Sequence, residues 1–414
     1  MRVLILGAGV LGTTTAWELS RDGHDVTVLD RAPEAAQGAS FGNAGLIATG
    51  DALAWASPER LRMLPKVWLG LDPAMKIGVP DLDLMRWGLR FLPECTREQW
   101  VRNSLNKHRL CTYSQERMRV IREDTGVEYH RGAGGLLYLF RSPQSLEHAF
   151  AERQPLIDAG HQMQLLSAEE VVAREPGFAA GQQHLAGAVY CPTDESGDSH
   201  QFTQEMVAQC QEQGVVFHFN SEVTQMQVSG QQVEGVLTRS GTLYQADRYV
   251  VALGAWSPVL LKALGVKLPV YPVQGVSATV PVESGHTPPS LGGIDEDCRV
   301  AFSRLGDRMR LTTLAAFQGH RLGFSPRRFK ALFQTVRELM PQAANFDRPR
   351  LWTGLRPMTP EGSPIIGFGP HKNLLYNTGH GHLGWTMACG SARIAADLLA
   401  GESPEISMEG LGFR

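Results

Sequence analysis

The chain opens on a short apolar run, which is followed by a glycine-rich stretch and then by a helical pattern of small and apolar residues. Residues 2–6 predict a buried strand, and residues 13–21 predict a helix that ends before Gly23. A second apolar run at residues 26–29 predicts another strand, which ends on Asp30. The pattern therefore predicts a βαβ unit, in which a helix joins two parallel strands.

The first turn of this unit has the spacing Gly-x-Gly-x-x-Gly over residues 7–12, and Asp30 follows Gly12 by 18 residues. Gly7 suits a tight turn, Gly9 allows a pyrophosphate to approach the backbone, and Gly12 allows the helix to lie close to the strand. The helix N-terminus favours a phosphate group, and Asp30 can accept hydrogen bonds from ribose hydroxyls. We interpret the unit as a dinucleotide-binding site. A glycine-rich turn without a ligand is the alternative.

Two more strand–glycine–helix patterns occur far from the first one. Residues 247–256 are an apolar run that ends in a glycine turn, and residues 373–399 repeat the pattern near the C-terminus. Three such units predict one nucleotide-binding domain of the Rossmann type, assembled from separated segments. Residues 127–141 and 266–315 predict strands, whereas residues 55–125 are rich in Leu, Trp and Met at helical spacing.

The intervening stretches predict a second domain, built on an antiparallel sheet with flanking helices. The predicted fold class is therefore α/β combined with α+β, with a Rossmann-type domain of discontinuous segments and an antiparallel-sheet substrate domain. We assign residues 1–90, 195–262 and 350–414 to the first domain. Residues 91–194 and 263–349 are assigned to the second domain.

The composition argues against several classes of protein. A net charge of -3 with dispersed Lys and Arg gives no reason to expect a nucleic-acid partner. The six cysteines show no C-x-x-C spacing and the thirteen histidines form no H-E-x-x-H pattern, so we expect neither a disulfide framework nor a metal site. No apolar run reaches the length of about 18 residues that a spanning helix needs. Because the N-terminus begins directly with the nucleotide strand, we expect a cytoplasmic protein.

Four tryptophans, Trp55, Trp68, Trp87 and Trp100, lie within the stretch with helical spacing. Packing in the protein core is the simpler interpretation of such a stretch. A patch that contacts a membrane surface is the alternative, because tryptophan and leucine on one helix face favour the membrane interface.

Two features favour a flavin over a nicotinamide cofactor. A loop of small residues, 39–45, follows the second strand and is well placed to run beside a pyrophosphate and an isoalloxazine ring. The glycine-rich turn at residues 379–384 directs a helix N-terminus back toward the cofactor, where its dipole would stabilise the negative charge of a reduced flavin. A simple nicotinamide enzyme would not require the chain to return to this domain. We therefore expect FAD.

Long motifs occur at residues 354–360 (GLRPMTP), 377–381 (NTGHG) and 383–391 (LGWTMACGS), with further ones at 40–45, 134–141 and 194–198. These segments resemble the bacterial D-amino-acid dehydrogenase small subunit family, within the FAD-dependent D-amino-acid oxidase-like superfamily. The resemblance covers nearly the whole chain. It implies non-covalent FAD, oxidative deamination of D-amino acids to 2-oxo acids, and electron transfer to a respiratory acceptor (a quinone or a carrier) rather than mainly to O₂. It also implies peripheral association with the inner membrane.

Our candidates for binding the cofactor lie in the glycine turns and beside the strands that lead into them. The N-terminal unit and its following loop contribute the first of them, and later segments contribute the rest. They are Gly7, Gly9, Val10, Leu11, Gly12, Asp30, Arg31, Ser40, Asn43, Ala44, Gly45, Val223, Ala252, Gly254, Ala255, Trp256, Gly354, Gly381, His382, Leu383, Gly384 and Trp385.

The inferred reaction is hydride transfer from the substrate Cα to flavin N5, which leaves an imine that water hydrolyses. Such a reaction needs a group that holds Cα in position rather than a covalent nucleophile. Arg356 is our candidate, because a guanidinium binds a carboxylate through two hydrogen bonds. In the superfamily the arginine of the G-[LF]-R motif faces the substrate carboxylate, and Arg356 matches that position. A surface ion pair between Arg356 and Glu361 is the alternative.

Two histidines and two strand residues are further candidates for catalysis or substrate contact. His380 and His382 flank Gly381, and His380 matches a histidine of the family pattern. Either ring could contact the flavin or help to accept the amine proton, and backbone hydrogen bonding alone is the alternative. Tyr271 and Gln274 lie on a predicted strand of the second domain, where we expect them to line or support the substrate pocket.

Three segments depart from the family pattern near the expected pocket. Residues 274–276 are Gln-Gly-Val where Lys-Gly-Tyr is common, residues 46–50 are Leu-Ile-Ala-Thr-Gly rather than Gln-Ile-Ser-Pro-Gly, and residues 311–314 replace a Gly-Gly-Met-like segment. Two alternatives to a linear D-amino acid substrate and a respiratory acceptor therefore stay open. They are a dehydrogenase of D-proline or D-hydroxyproline, and an amine oxidase that uses O₂. A nicotinamide-dependent dehydrogenase and a non-catalytic flavin-binding subunit are the alternatives from other classes.

Overall fold

The fold contains two large β-sheets with helices packed against them. The computed structural model describes residues 1–72 and 74–414. Within these residues the strands are β1 (Arg2–Leu6), β2 (Asp25–Leu29), β3 (Leu46–Ile47), β4 (Met75–Ile77), β5 (Leu136–Phe140), β6 (Gln164–Ser167), β7 (Gly187–Cys191), β8 (Glu195–Ser196), β9 (Val216–His218), β10 (Val223–Ser229), β11 (Gln232–Thr238), β12 (Leu243–Tyr244), β13 (Arg248–Val251), β14 (Tyr271–Pro281), β15 (Gly292–Asp295), β16 (Val300–Leu305), β17 (Arg308–Phe317), β18 (Arg350–Met358), β19 (Ile365–Phe368) and β20 (Leu374–Thr378).

The helices connect these strands and cover the sheets. The α-helices are α1 (Val10–Arg21), α2 (Pro58–Trp68), α3 (Leu82–Glu94), α4 (Arg97–Thr125), α5 (Pro143–Glu152), α6 (Gln154–Asp158), α7 (Ala168–Arg174), α8 (Ser199–Glu212), α9 (Ser257–Lys262), α10 (Arg327–Leu339) and α11 (Ala388–Ala400). Short 3₁₀ helices cover Thr49–Asp51, Pro176–His184, Gly254–Trp256 and Gly381–Leu383.

The first sheet contains six strands in the order β19-β20-β13-β1-β2-β9. β1 lies between β13 and β2 and pairs with both in parallel. Its residues after Arg2 are all buried, because α1, α8 and α11 cover one face of the sheet while β10, β11 and α9 cover the other, and this explains the continuous apolar run. β19 is antiparallel to β20 and forms one edge of the sheet. This sheet is the nucleotide-binding sheet that the sequence predicts.

Helices from three distant parts of the chain meet beside this sheet. α1 packs against α8 and α11, and α4 packs against α11. The buried carboxylate of Glu18 on α1 accepts a hydrogen bond from Arg117 of α4 at 3.1 Å and another from Arg393 of α11 at 3.0 Å. Each partner satisfies part of the carboxylate's hydrogen-bonding capacity, so one buried acid connects the three helices.

The second sheet has the order β18-β14-β17-β16-β15-β5-β7-β6, and β4 pairs with β17. The pairs β15–β5 and β17–β4 are parallel, whereas the other pairs given for this sheet are antiparallel. The apolar face of α10 covers one side of it with Phe329, Leu332, Val336 and Leu339. A smaller antiparallel sheet, β10-β11-β12, is inserted between β9 and β13.

The tryptophans of the helical stretch have different environments. Trp87 and Trp100 are buried, and their indole N–H groups donate to Met358 O at 2.9 Å and to Ala54 O at 3.1 Å. Packing in the core is therefore the correct interpretation for these two. Trp68 at the end of α2 is 68% exposed. Among the described residues, no helix combines the length and the apolar character needed to cross a membrane.

The predicted fold class is confirmed, since a parallel nucleotide-binding sheet of separated segments stands beside a mainly antiparallel sheet. The division into two domains stays a proposal. β18 and β4 hydrogen-bond to the large sheet, although our segments place residues 350–358 and 75–77 in the first domain. We therefore propose that the boundaries of the second domain include both strands.

Candidate functional site

The glycine turn after β1 is closed by contacts that leave no room for side chains. Gly7 has a φ of 108°, which favours glycine, and its N–H donates to Leu29 O at 2.8 Å. A Cβ on Gly7 would lie 2.6 Å from Ala252 O, and a Cβ on Gly12 would lie 1.8 Å from Gly7 O. The turn therefore requires glycine at both positions, and α1 approaches β1 closely as a result.

The N-terminus of α1 follows this turn directly. Gly9 is the N-cap residue and has no side chain that could accept hydrogen bonds from the first-turn N–H groups. The loop after β2 approaches the same end of the helix, where the Val10 N–H donates to Ser40 Oγ at 3.1 Å. An anionic group can therefore use the remaining amides and the positive end of the helix dipole.

Asp30, at the end of β2, contacts the same turn. Its carboxylate accepts hydrogen bonds from the N–H of Ala8 at 2.7 Å and from the N–H of Ala32 at 2.8 Å. Each carboxylate oxygen has a second lone pair, so these bonds are compatible with the predicted contact to a ribose. The guanidinium of Arg31 lies over the Trp256 ring, 4.3 Å from its centroid, and both residues line the cavity described next.

A cavity of about 1040 Å³ extends from the glycine turn to the large sheet. Most predicted cofactor residues line it: Gly7, Gly9, Val10, Leu11, Asp30, Arg31, Ser40, Asn43, Ala44, Val223, Ala252, Gly254, Ala255, Trp256, Gly354, Gly381, His382, Leu383, Gly384 and Trp385. Gly12 and Gly45 are outside this lining. Gly12 packs against Gly7, and a Cβ on Gly45 would lie 2.4 Å from Ser303 Oγ. Segments from the beginning, middle and end of the chain therefore meet at one cavity.

Arg356 lines this cavity from β18. Its Nη1 donates to Leu314 O at 2.8 Å, and no carboxylate of the described residues forms an ion pair with it. Burial lowers the pKa of Arg356 to about 10, so the guanidinium remains charged at neutral pH. Glu361, the partner in our alternative, pairs with Arg414 instead. Arg356 thus presents an unneutralised cation, which is what a carboxylate anchor requires.

His380 also lines the cavity, at the start of the C-terminal turn. Its Nε2 lies 2.9 Å from Ser391 Oγ on α11, and the residue is only 2% exposed. Burial lowers the pKa of His380 to about 3, so its imidazole is neutral near pH 7. The side chain is therefore fixed by a specific hydrogen bond as well as by the turn.

His382 differs from His380 in its partners. Its ring stacks on Trp55 with centroids 5.2 Å apart, and its Nε2 lies 3.7 Å from Asp51 Oδ2. Burial, together with the positive charges of Lys107 and Arg356, lowers the pKa of His382 well below its usual range. The imidazole is therefore neutral, and its contact with Asp51 is not an ion pair near pH 7.

Tyr271 and Gln274 lie on β14, outside the cavity lining. The Tyr271 hydroxyl accepts a hydrogen bond from the Gly319 N–H at 2.9 Å. Gln274 is fully buried and its Nε2 donates to Thr353 Oγ1 at 2.8 Å. Thr353 itself lines the cavity, so Gln274 reaches the site through this hydroxyl. The structure does not bring Tyr271 or Gln274 to the cavity surface beside Arg356.

The charged and aromatic side chains that line the cavity but were not site candidates from the sequence include Asp51, Trp55, Arg60, Glu296 and Arg299. Burial, followed by the negative charge of Glu296, raises the pKa of Asp51 to about 7. These residues come from the 3₁₀ helix at 49–51, from the segment leading into α2, from α2 itself, and from the turn between β15 and β16. No motif marks them, because they reach the cavity only when the second sheet is assembled beside the first.

The site fits a dinucleotide on structural grounds. The turn at Gly7 and Gly12 excludes side chains, the end of α1 is free of a side-chain cap, and the loop at Ser40 approaches that end. The return of residues 381–385 to the same cavity matches the arrangement expected for a flavin. Together, the discontinuous Rossmann-type sheet and the shared cavity define the class of flavin-dependent oxidoreductases.

Solved structures share this fold over almost the whole chain. The structure is similar to glycine oxidase from Geobacillus kaustophilus, with a TM-score of 0.77 and 20% identity over 100% of this chain and 98% of that chain. It is also similar to L-proline dehydrogenase from P. horikoshii, with a TM-score of 0.72 and 17% identity over 97% of this chain and 94% of that chain. At this level of identity the similarity establishes the fold.

The chain belongs to the FAD dependent oxidoreductase family (DAO), whose profile matches residues 2–398. It is 41% identical to D-amino acid dehydrogenase 2 of Mesorhizobium japonicum over 415 residues, which are 100% of both chains. It is 40% identical to D-amino acid dehydrogenase of Paramagnetospirillum magneticum over 418 residues, covering 100% of this chain and 98% of the relative. These relationships confirm the prediction of an oxidoreductase with FAD as cofactor.

Gly12→Ala should strongly weaken FAD binding. The new Cβ would collide with the Gly7 carbonyl oxygen, which is backbone and cannot move without opening the turn. Overpacking of about 1–3 kcal/mol corresponds to a loss of affinity of roughly 5- to 150-fold. The measurement is the flavin absorbance of purified and FAD-reconstituted protein. Gly88→Ala on α3 is the matched control, since its Cβ would meet no atom within 4 Å. A normal FAD content in Gly12→Ala would contradict our view of the turn.

Proposed function

We propose that the protein is an FAD-dependent D-amino-acid dehydrogenase that oxidises D-amino acids to 2-oxo acids. The observation that carries the proposal is the unneutralised Arg356 guanidinium, which shares a cavity with the glycine turns of the FAD site. Relatives named D-amino acid dehydrogenase, with 40–41% identity over essentially the full chain, support the same substrate class. When bound, FAD supplies the acceptor for the hydride that leaves the substrate Cα.

Arg356 fixes the orientation of the substrate. Its planar guanidinium binds the α-carboxylate through two hydrogen bonds, while the carbonyl of Leu314 holds one of its nitrogens. Because Leu314 belongs to β17 and Arg356 to β18, the anchor is supported by the large sheet on two sides. The remaining substrate atoms, Cα and the amine, are then directed toward the wall formed by the C-terminal turn.

The amine must lose a proton before or during oxidation. His380 is neutral and its Nε2 is occupied by Ser391, which supports a positioning role in contact with the flavin or the substrate. Asp51, beside His382, has a pKa of about 7 and lines the cavity, so a carboxylate is available there over part of the neutral range. Hydrolysis of the resulting imine consumes one water and yields the 2-oxo acid and ammonium.

The two electrons pass to a respiratory acceptor in our proposal, and the protein lies at the cytoplasmic face of the inner membrane. An apolar patch supports this location: Trp68, Leu69, Leu71, Leu82, Met85, Leu89 and Leu92, which are between 45% and 71% exposed. The four residues on α3 follow helical spacing and form one face. Exposed Arg86 and Arg90 on the same helix favour anionic lipid headgroups.

The substrate preference of flavin reduction, together with the reaction of the reduced flavin with O₂, distinguishes a dehydrogenase of linear D-amino acids from a cyclic imino acid dehydrogenase and from an oxidase. Mixing the holoenzyme anaerobically with D-alanine should bleach the flavin, whereas the L-enantiomer should act at least about 10²-fold more slowly, because a fixed carboxylate and amine present the wrong Cα hydrogen. Faster bleaching by cis-4-hydroxy-D-proline would favour a cyclic imino acid dehydrogenase. Hydrogen peroxide in stoichiometric yield under air would indicate an oxidase. If no D-amino or imino acid bleaches the flavin, the proposal is wrong.

Arg356→Ala should raise KM by roughly 10- to 150-fold and leave the FAD content unchanged. Removing one partner of a charge-assisted pair costs roughly 1.5–3 kcal/mol, and Arg356→Lys should recover part of the loss through its single charge. Steady-state kinetics with a dye acceptor and the flavin absorbance test both statements. Arg348→Ala, at an exposed position that pairs with Glu283, is the control. An unchanged KM would remove Arg356 from the site.

Leu82→Ser combined with Leu89→Ser should release the protein from membranes. Full burial of one leucine is worth roughly 1.5–3 kcal/mol, so even partial insertion of two predicts at least about a tenfold lower partition coefficient. Sedimentation with vesicles of phosphatidylethanolamine and phosphatidylglycerol measures it. Leu165→Ser with Val216→Ser removes apolar groups elsewhere on the surface, which are 48% and 46% exposed, and should have no effect. Equal partitioning of both double variants would argue against the patch.

A further inference from the structure

Arg60 is a second cavity arginine without a carboxylate partner. It lies in the first turns of α2 and lines the cavity. The hydrogen bonds of its guanidinium go to thioether sulfurs, from Nη1 to Met63 Sδ at 3.9 Å and to Met75 Sδ at 3.8 Å. Thioether sulfur is a weak acceptor, so these contacts do not neutralise the charge. Within the described residues no ion pair of Arg60 is formed.

Glu296, Asp51 and Asp72 lie close enough to act electrostatically on Arg60, but among the described residues none of them forms an ion pair with it. Arg299 contacts the same sulfur, with its Nη2 3.5 Å from Met63 Sδ, so two guanidinium groups lie close together. Arg299 Nη1 donates to both carboxylate oxygens of Asp72 at 3.0 Å, so Asp72 neutralises the charge of Arg299. The guanidinium of Arg60 is the other cation, and it has no carboxylate at contact distance among the described residues. A buried charge without such a contact is unfavourable unless a ligand supplies one.

Two other acids of the cavity, Glu296 and Asp51, contact residues other than Arg60. Glu296 accepts a hydrogen bond from Arg153 Nη2 at 2.7 Å. Asp51 lies beside His382, 3.7 Å from its Nε2. Neither carboxylate is within ion-pairing distance of Arg60, so the cavity retains an anion-seeking group at this wall.

Arg60 and Arg356 are both connected, directly or through Met75, to two consecutive residues of β17. Arg356 donates to the carbonyl of Leu314, and the next residue, Ala315, is the register partner of Met75 on β4. Met75 in turn contacts Arg60 through its sulfur. The two guanidinium groups therefore belong to one end of the cavity but approach it from different walls.

We propose that Arg60 binds an oxygen-bearing group at the end of the substrate side chain, so that D-amino acids with a side-chain carboxylate, with D-glutamate as the type, are the preferred substrates. The proposal rests on the function proposed above, in which Arg356 binds the α-carboxylate. A dicarboxylate satisfies both unneutralised arginines at once, whereas D-alanine leaves Arg60 without a partner. A side-chain carboxamide offers one neutral oxygen and is the weaker ligand of the same kind.

The test compares D-glutamate with D-norvaline, which has the same number of carbons and no side-chain oxygen. In wild-type holoenzyme, the rate of anaerobic flavin reduction divided by the apparent Kd should be at least about tenfold higher for D-glutamate. Arg60→Met should lower the ratio of the two specificity values by about 10²-fold, the loss expected for a hydrogen bond to a charged group. Arg60→Lys should restore part of it. Arg62→Met, at an exposed position on the same helix, is the matched control.

Calorimetric titration of the holoenzyme with glutarate and with butyrate measures binding and needs no turnover. Glutarate should bind wild type at least about tenfold more tightly than butyrate does, and Arg60→Met should remove this difference. If Arg60→Met lowers the rate of flavin reduction divided by the apparent Kd equally for D-glutamate and D-norvaline, Arg60 binds the α-carboxylate or has a structural role. That result would overturn the proposal. An unchanged preference would overturn it as well. If wild type is reduced by no D-amino acid, the proposed function fails, and the glutarate titration alone decides whether Arg60 is an anion site.

Discussion

The close approach of α1 to β1 at Gly12 is the contact on which the site depends. A Cβ on Gly12 would lie only 1.8 Å from the Gly7 carbonyl oxygen. A Cβ on Gly7 would lie 2.6 Å from the carbonyl oxygen of Ala252. The first contact sets the direction of α1, and the second fixes β13 and the turn after it against the N-terminal unit. Since β20 pairs with β13, the C-terminal turn is positioned through the same contacts. A small steric constraint at two glycines thus determines where three distant segments meet.

The other end of the cavity is organised by charge rather than by steric fit. Leu314, whose carbonyl holds Arg356, has a φ of 73°, a conformation that costs a residue with a side chain on the order of 1–3 kcal/mol. Such strain is typical of positions where the backbone serves a ligand. The strained carbonyl and the two unneutralised arginines occur around the same stretch of β17. The large sheet therefore stabilises an arrangement that is unfavourable until an anion occupies it.

The nucleotide half of the site could be predicted from the sequence because its information is local. Glycine spacing, a following helix and an acid at the strand end specify the turn at residues 7–12, and the cavity lining agrees with nearly all predicted cofactor positions. The substrate half depends on packing between sheets. β17 carries an extra residue opposite the segment between Gln274 and Val276 of β14, so the sequence could not show which residues of β17 face the cavity.

Helix boundaries show the same limit on a smaller scale. The glycine-rich turn at residues 379–384 was predicted to lead directly into a helix, yet α11 starts at Ala388, after a 3₁₀ turn that the glycine-rich pattern could not distinguish from a regular helix start. Arg60 was missed because its helix has a single buried residue, Val67, and nothing in that pattern marks a side chain that reaches a distant strand. These errors concern tertiary placement rather than chemistry.

The buried acid that joins α1, α4 and α11 has a consequence for biosynthesis. Glu18 leaves the ribosome early, whereas Arg393 follows it by 375 residues and Arg117 by 99. In a nascent chain, Glu18 therefore cannot form its hydrogen bond with Arg393 until translation is almost complete. The strands β19 and β20 of the same sheet are also synthesised last. Long-range closure of this kind is slow and exposes apolar surface in the meantime. We expect the nucleotide domain to be the last part of the molecule to fold, so that chain termination or proteolysis near the C-terminus yields an aggregation-prone product rather than a partly active one.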